Sequence, residues 1–109
     1  MATNNFKRLT GLHPANTTEA KLYGPASGKE AIGEIYVCNI TATDYTFRIA
    51  ITDTDGAATA EDWIAYDTTL AANKSTTYTF HLANPHTIRV RSSNASSLTF
   101  VAMGNEITV

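Results

Sequence analysis

The chain has a single cysteine, Cys38, so no disulfide can form within it. Charge is scarce: 17% of the 109 residues are Asp, Glu, Lys or Arg, and the net charge is −2. A nucleic-acid partner asks for a basic footprint, and none is present. Long apolar runs are missing too. Ile35-Tyr36-Val37-Cys38 is among the longest and falls far short of the roughly twenty residues of a membrane-spanning helix, so no membrane partner is expected. MATNNFKRL places asparagines where a secretory h-region would sit, so cytoplasmic synthesis without a signal peptide is expected.

What the chain does have is a hydrophobic content of 43%, too high for a disordered tail. At this length that is one domain with a real core. Its pattern is alternation. Tyr45–Ile51 sets Phe47, Ile49 and Ile51 against Thr46, Arg48 and Ala50, Thr77–Leu82 aligns Tyr78, Phe80 and Leu82, and His86–Arg91 repeats the rhythm. Period-two runs rich in β-branched and aromatic residues are half-buried strands. Further strands are expected at Phe6–Leu12, Ala20–Tyr23, Ala31–Ile40, Trp63–Leu70 and Leu98–Met103, separated by Gly, Pro, Asn and Ser turn clusters. No helical stripe appears, and the eighteen threonines favour strand. The expectation is an all-β antiparallel sandwich of about eight strands over residues 18–109, jelly-roll or immunoglobulin-like. Residues 1–17 form either an N-terminal arm or the first strand.

Two strands are apolar on both sides. Tyr36, Cys38 and Ile40 oppose Ile35 and Val37, while Val101 and Met103 oppose Leu98, Phe100 and Ala102. A sandwich strand needs one apolar face, so the second is covered by the N-terminal segment or by another subunit. The subunit-interface candidates are therefore Tyr36, Cys38, Ile40, Val101 and Met103, with Phe6, Leu9 and Leu12 as anchors if the N-terminal segment is an arm. A homo-oligomer is expected.

Few motifs carry chemistry. Gly24-Pro25-Ala26-Ser27-Gly28-Lys29 has one residue too few between its glycines for a phosphate-binding loop, and Glu30 follows the lysine. His13, His81 and His86 lack metal-ligand spacing, Cys38 has no activating partner in the sequence, and no serine sits in a hydrolase elbow. Arg89 and Arg91 share one strand face, either solvated or part of an anion-binding face. Asn39-Ile40-Thr41 is one of four glycosylation sequons, which reflect composition where no signal peptide is expected. The acidic stretch offers Asp53, Asp55, Glu61 and Asp62 as weak calcium candidates. EF-hand alignment fails because position 1 falls on Ile51. The alternative is a turn held by Asp53 and Asp55, with Gly56 at positive φ. No resident metal, cofactor or catalytic residue is expected, and the chain reads as non-enzymatic.

Leu22-Tyr23, Pro25–Ala31, Ile35-Tyr36-Val37-Cys38-Asn39 and Thr46-Phe47-Arg48-Ile49-Ala50 stand in an order that resembles small structural proteins of tailed bacteriophages. Trp63–Asp67, Leu70–Asn73, Ile88-Arg89-Val90 and Leu98–Ile107 extend the resemblance to most of the chain. It implies a non-enzymatic virion component whose partners are major capsid or tail subunits. The leading expectation is capsid decoration or a place in the tail or neck. The runner-up is a tail-tip or fibre binding module whose candidate host-glycan contacts are Trp63, Tyr66, Tyr45 and the acidic loop.

Overall fold

The structure, a computed structural model, describes residues 6–108. Asn4 and Asn5 of the expected N-terminal segment lie outside the described residues. Eight strands follow in order: β1 (Lys7–Leu12), β2 (Ala20–Tyr23), β3 (Lys29–Asn39), β4 (Tyr45–Thr52), β5 (Trp63–Leu70), β6 (Ser75–Ala83), β7 (Thr87–Ser92) and β8 (Leu98–Thr108). Each expected strand is present. β3 begins two residues earlier than its alternation suggests, and β8 continues beyond the expected Met103 to Thr108. The reason is long-range: β3 and β8 pair without interruption from Lys29↔Thr108 to Asn39↔Leu98.

Every ladder is antiparallel, and the strands divide into two sheets ordered β1-β8-β3-β6 and β2-β7-β4-β5. Each connection but β4–β5 crosses from one sheet to the other. That is the jelly roll, two interlocked Greek keys, and not the immunoglobulin order. β1 is the edge strand of the chain's own first sheet, and Leu9 and Leu12 turn inward against its core.

The core lies between the sheets. Phe47, Ile49, Ile88 and Val90 come from one side, Ile35, Val37, Leu98 and Phe100 from the other. Two aromatic contacts bridge the layers: Phe47 meets Tyr78 edge-on at 6.0 Å, and Tyr23 meets Phe80 at 6.4 Å. Such pairs add about 0.5–1.5 kcal/mol beyond burial. Tyr23 also donates its hydroxyl proton to Glu106. Burial first, then that hydrogen bond and the carboxylate's charge, push the phenol pKa well up, so Tyr23 stays protonated. In the same interior Thr52 and Thr87 hydrogen-bond to one another.

One buried polar residue organises a whole end of the sandwich. Asn39, fully buried at the end of β3, donates from Nδ2 to Thr43 O at 2.8 Å and to Leu70 O at 3.0 Å. Its Oδ1 accepts the Thr41 N–H and hydroxyl. The sequon asparagine is thus a loop staple with no free amide. Ser96 N–H to Pro14 O and Asn73 N–H to Thr41 O tie the neighbouring loops at this end.

Two glycines are required by a close approach. Gly33 and Gly104 face each other across β3 and β8. A Cβ on Gly33 would be driven into the Met103 carbonyl, and one on Gly104 into that of Ile32. Backbone cannot yield as a flexible side chain does. Gly33→Ala and Gly104→Ala should each lower stability by about 3 kcal/mol or more in urea unfolding. Gly28→Ala, at φ +77° with open space around it, should cost only about 1–2 kcal/mol. Equal losses at all three positions would refute the close-approach account.

Candidate functional site

Two outward sheet faces and the β4–β5 loop hold most of the residues singled out from sequence; Leu9 and Leu12 face the core, and Ile40 lies in the β3–β4 loop. On the first sheet, β3 and β8 project Ile32, Tyr36, Val101, Met103 and Ile107 away from the core, because their neighbours Ile35, Val37, Phe100 and Ala102 point into it. Ile32 is 47% exposed, Tyr36 36% and Ile107 40%. Cys38 is half-buried on the same face. Near β6 this surface dips into an open concavity of about 560 Å³ lined by Phe6, Ile32, Glu34, Thr79, His81 and Asn105. Ile40 is exposed but lies beyond the end of β3, in the loop, where its N–H binds Ser97 O. The row is apolar at Ile32, Tyr36, Val101, Met103 and Ile107, with Glu34 between Ile32 and Tyr36 and His81 at the β6 edge.

The second sheet carries a different cluster. Between Phe47↔Thr68 and Ile49↔Ala65 the register slips, so β5 bulges and Asp67 takes φ +48°. The bulge turns two consecutive side chains, Tyr66 and Asp67, to the outside. Arg48 on β4 meets both. Its Nε and Nη2 reach the Asp67 carboxylate at 2.7 and 3.1 Å, and its Cζ lies 4.0 Å from the Tyr66 ring centre. Trp63 meets Tyr66 edge-on at 5.2 Å. The hydrogen bonds from Arg48 hold the Asp67 carboxyl below the usual carboxylate range, and those bonds hold the guanidinium pKa up in turn. Tyr66 remains 54% exposed, while Tyr45 packs half-buried against the core.

Arg89 and Arg91 form no open anion site. Arg89 Nε binds the Glu19 carboxylate at 3.0 Å, both side chains being largely covered, and Arg91 Nε binds Thr17 O at 2.8 Å. Together they clamp the segment before β2 onto β7. Glu19 also accepts the Ala58 N–H, which fastens the loop between β4 and β5.

That loop disperses its carboxylates. Asp55 pairs with Lys21 at 3.1 Å, Asp62 caps the Thr59 N–H at 2.7 Å and its hydroxyl at 3.0 Å, and Asp53 faces His86 at 4.0 Å. Among the described residues no three His, Cys, Asp or Glu side chains converge on a metal position. The turn also differs from expectation: Gly56 donates to Thr54 O at 2.8 Å without positive φ, and the positive-φ glycine is Gly28. The histidines are structural or peripheral. His13 Nδ1 reaches Leu98 O and Thr99 Oγ1 at 3.0 and 3.1 Å, and His81 lies 3.9 Å from Glu30.

No family model and no curated protein matches the sequence. A solved structure shares the fold. A chain in the structure of infectious bursal disease virus, Gx strain, is similar over 99% of this chain with a TM-score of 0.53 and 15% identity. The match covers 30% of that chain, so this protein spans under a third of its neighbour's length. At that identity the likeness is one of fold.

Sequence reasoning missed Arg48 and Asp67, which hold Tyr66 in place, and it read Asn39 only as composition. Arg48 sits on an outward alternation position, but its partner depends on a bulge that no local pattern announces. The Asn39-x-Thr41 spacing after a strand is itself an Asx-turn signal. Asp67, with its pKa depressed in the folded state, contributes stability that is complete above the ordinary carboxylate range and lost as pH falls through the folded value. The melting-temperature gap between wild type and Asp67→Asn should therefore be widest near pH 7. It should close as pH falls from about 4 towards 2. A gap constant with pH would mean that the ion pair adds nothing.

Proposed function

We propose that this chain is a non-enzymatic structural protein of a tailed-phage virion, decorating or stabilising the capsid or building the tail or neck. The observation that carries the reading is the apolar outer face of the first sheet. Completing the burial of side chains such as Ile32, Tyr36 and Ile107 is worth about 1 kcal/mol each, too little for a tight one-to-one complex. Repeated over many copies on a particle, such contacts become avid. The jelly roll shared with a chain of infectious bursal disease virus supports a place in a virus particle. The sequence resemblance to phage structural proteins supports the finer assignment. Major capsid or tail subunits are the partners, and the virion is the location.

Immunogold microscopy of purified phage with an antibody against this chain tests the reading. Gold spread over heads assigns decoration; gold confined to tails assigns the tail or neck. A validated antibody that finds nothing on intact or opened particles sinks the proposal. Val101→Asp, which puts a charge on the outer face and leaves the inward residues untouched, should cut incorporation at least about tenfold while the purified protein keeps its melting temperature.

A second reading draws on the β5 bulge, which sets Tyr66 and Asp67 side by side on the surface next to Trp63. An exposed aromatic beside a carboxylate and a guanidinium suits sugar rings and hydroxyls, as in a host-glycan contact at a tail tip. Glycan-array binding that vanishes in Tyr66→Ala with unchanged circular dichroism would favour it. An array with no hit would remove it.

A further inference from the structure

We propose that β6 is an assembly edge, along which two copies of this chain pair antiparallel to join their first sheets into one eight-stranded sheet. The sandwich has four edge strands, and three of them are guarded. β1 carries Lys7 and Arg8 and slips register between Arg8 and Thr10. β2 is four residues long, carries Lys21 and slips register after it. β5 is broken by the Asp67 bulge. Charge, shortness and bulges are the devices that stop an edge from recruiting another strand.

β6 has none of them. It runs nine residues, Ser75-Thr76-Thr77-Tyr78-Thr79-Phe80-His81-Leu82-Ala83, without Lys, Arg, Asp, Glu, Gly or Pro. It matches β3 from Glu30↔Ala83 to Cys38↔Ser75 with no register shift, so it is regular along its length. Among the described residues, no strand pairs with its outer side. Alternate N–H and C=O groups there point away from β3, ready for a partner.

The composition of β6 identifies the partner as a second copy. A two-fold axis perpendicular to the sheet at Thr79 places Thr79 opposite its own counterpart and Thr77 opposite His81 on the outer face. On the inner face it places Tyr78 opposite Phe80, twice. Cross-strand aromatic pairs and Thr–Thr pairs are favourable, and this register opposes no like charges. The contact is isologous and therefore closes as a dimer. It is also continuous with the apolar face, because Tyr36 and Ile32 on β3 lie in register beside Thr77 and His81. The dyad thus brings two copies of that face into one surface. The inference does not depend on a virion role.

Analytical ultracentrifugation of the full chain is expected to show a dimer. Thr79→Lys, which sets like charges opposite each other at the axis, should raise the dissociation constant at least about tenfold, with melting temperature and circular dichroism of the monomer retained. Thr77→Lys is the second variant should the first misfold. In a Cys38→Ser background, Thr79→Cys should form a disulfide-linked dimer under mild oxidation, while Thr69→Cys on β5 should not. A wild type that is monomeric at all concentrations overturns the proposal. So does a dimer that survives both lysine variants, or one in which Thr79→Cys fails to cross-link.

Discussion

The ladder between β3 and β8 is the constraint from which the rest of the structure follows. Eleven residue pairs run from Lys29↔Thr108 to Asn39↔Leu98, joining the third strand to the eighth. The Gly33–Gly104 pair keeps the two backbones close where any Cβ would strike a carbonyl. The inward members of these strands, Ile35, Val37, Leu98, Phe100 and Ala102, form one wall of the core. The same register places Ile32, Tyr36, Val101 and Met103 outward together. Because a strand alternates strictly, the core and the exposed apolar face come from one pairing, and a slip by one residue would exchange them.

The two sheets then diverge in character. The first keeps an unbroken register from β8 through β3 to a plain edge at β6. The second is broken by the β5 bulge, and its outer face is occupied by ion pairs: Arg48 with Asp67, and Arg89 with Glu19. Arg48–Asp67 is partly exposed, and surface pairs of this kind add little to stability, whereas Arg89–Glu19 is largely covered. Their evident effect is placement. Arg48 fixes Tyr66 and Asp67 in position, while Arg89 and Glu19 hold the segment before β2 and the long β4–β5 loop against the sheet.

The strands were legible because each buries one face and so alternates. Phe47-Arg48-Ile49 and Tyr78-Thr79-Phe80 show the period plainly. The alternation itself reads only as far as Met103, yet the β3 partner holds Gly104-Asn105 and the residues after them extended as well. The apolar doubling at Tyr36, Cys38, Val101 and Met103 was also visible, since it needs only a count of both faces. The aromatic cluster was half visible: Trp63 and Tyr66 stand out as residue types, but Arg48 and Asp67 join them only through a cross-strand bulge. The roles of Arg89 and Arg91, and the link from Asn39 to Leu70, were hidden for the same reason, because Glu19, Thr17 and Leu70 lie far away in the chain.

Composition and alternation by themselves determined an all-β sandwich of about eight strands. They did so because burial of one strand face is a local property, written at every second residue. The choice between jelly-roll and immunoglobulin orders, the Gly33–Gly104 contact, the bulge that exposes Asp67 and the unguarded edge at β6 were decided only by tertiary structure. Each depends on which distant strand lies alongside, and pairing energy is shared between segments that no local pattern connects.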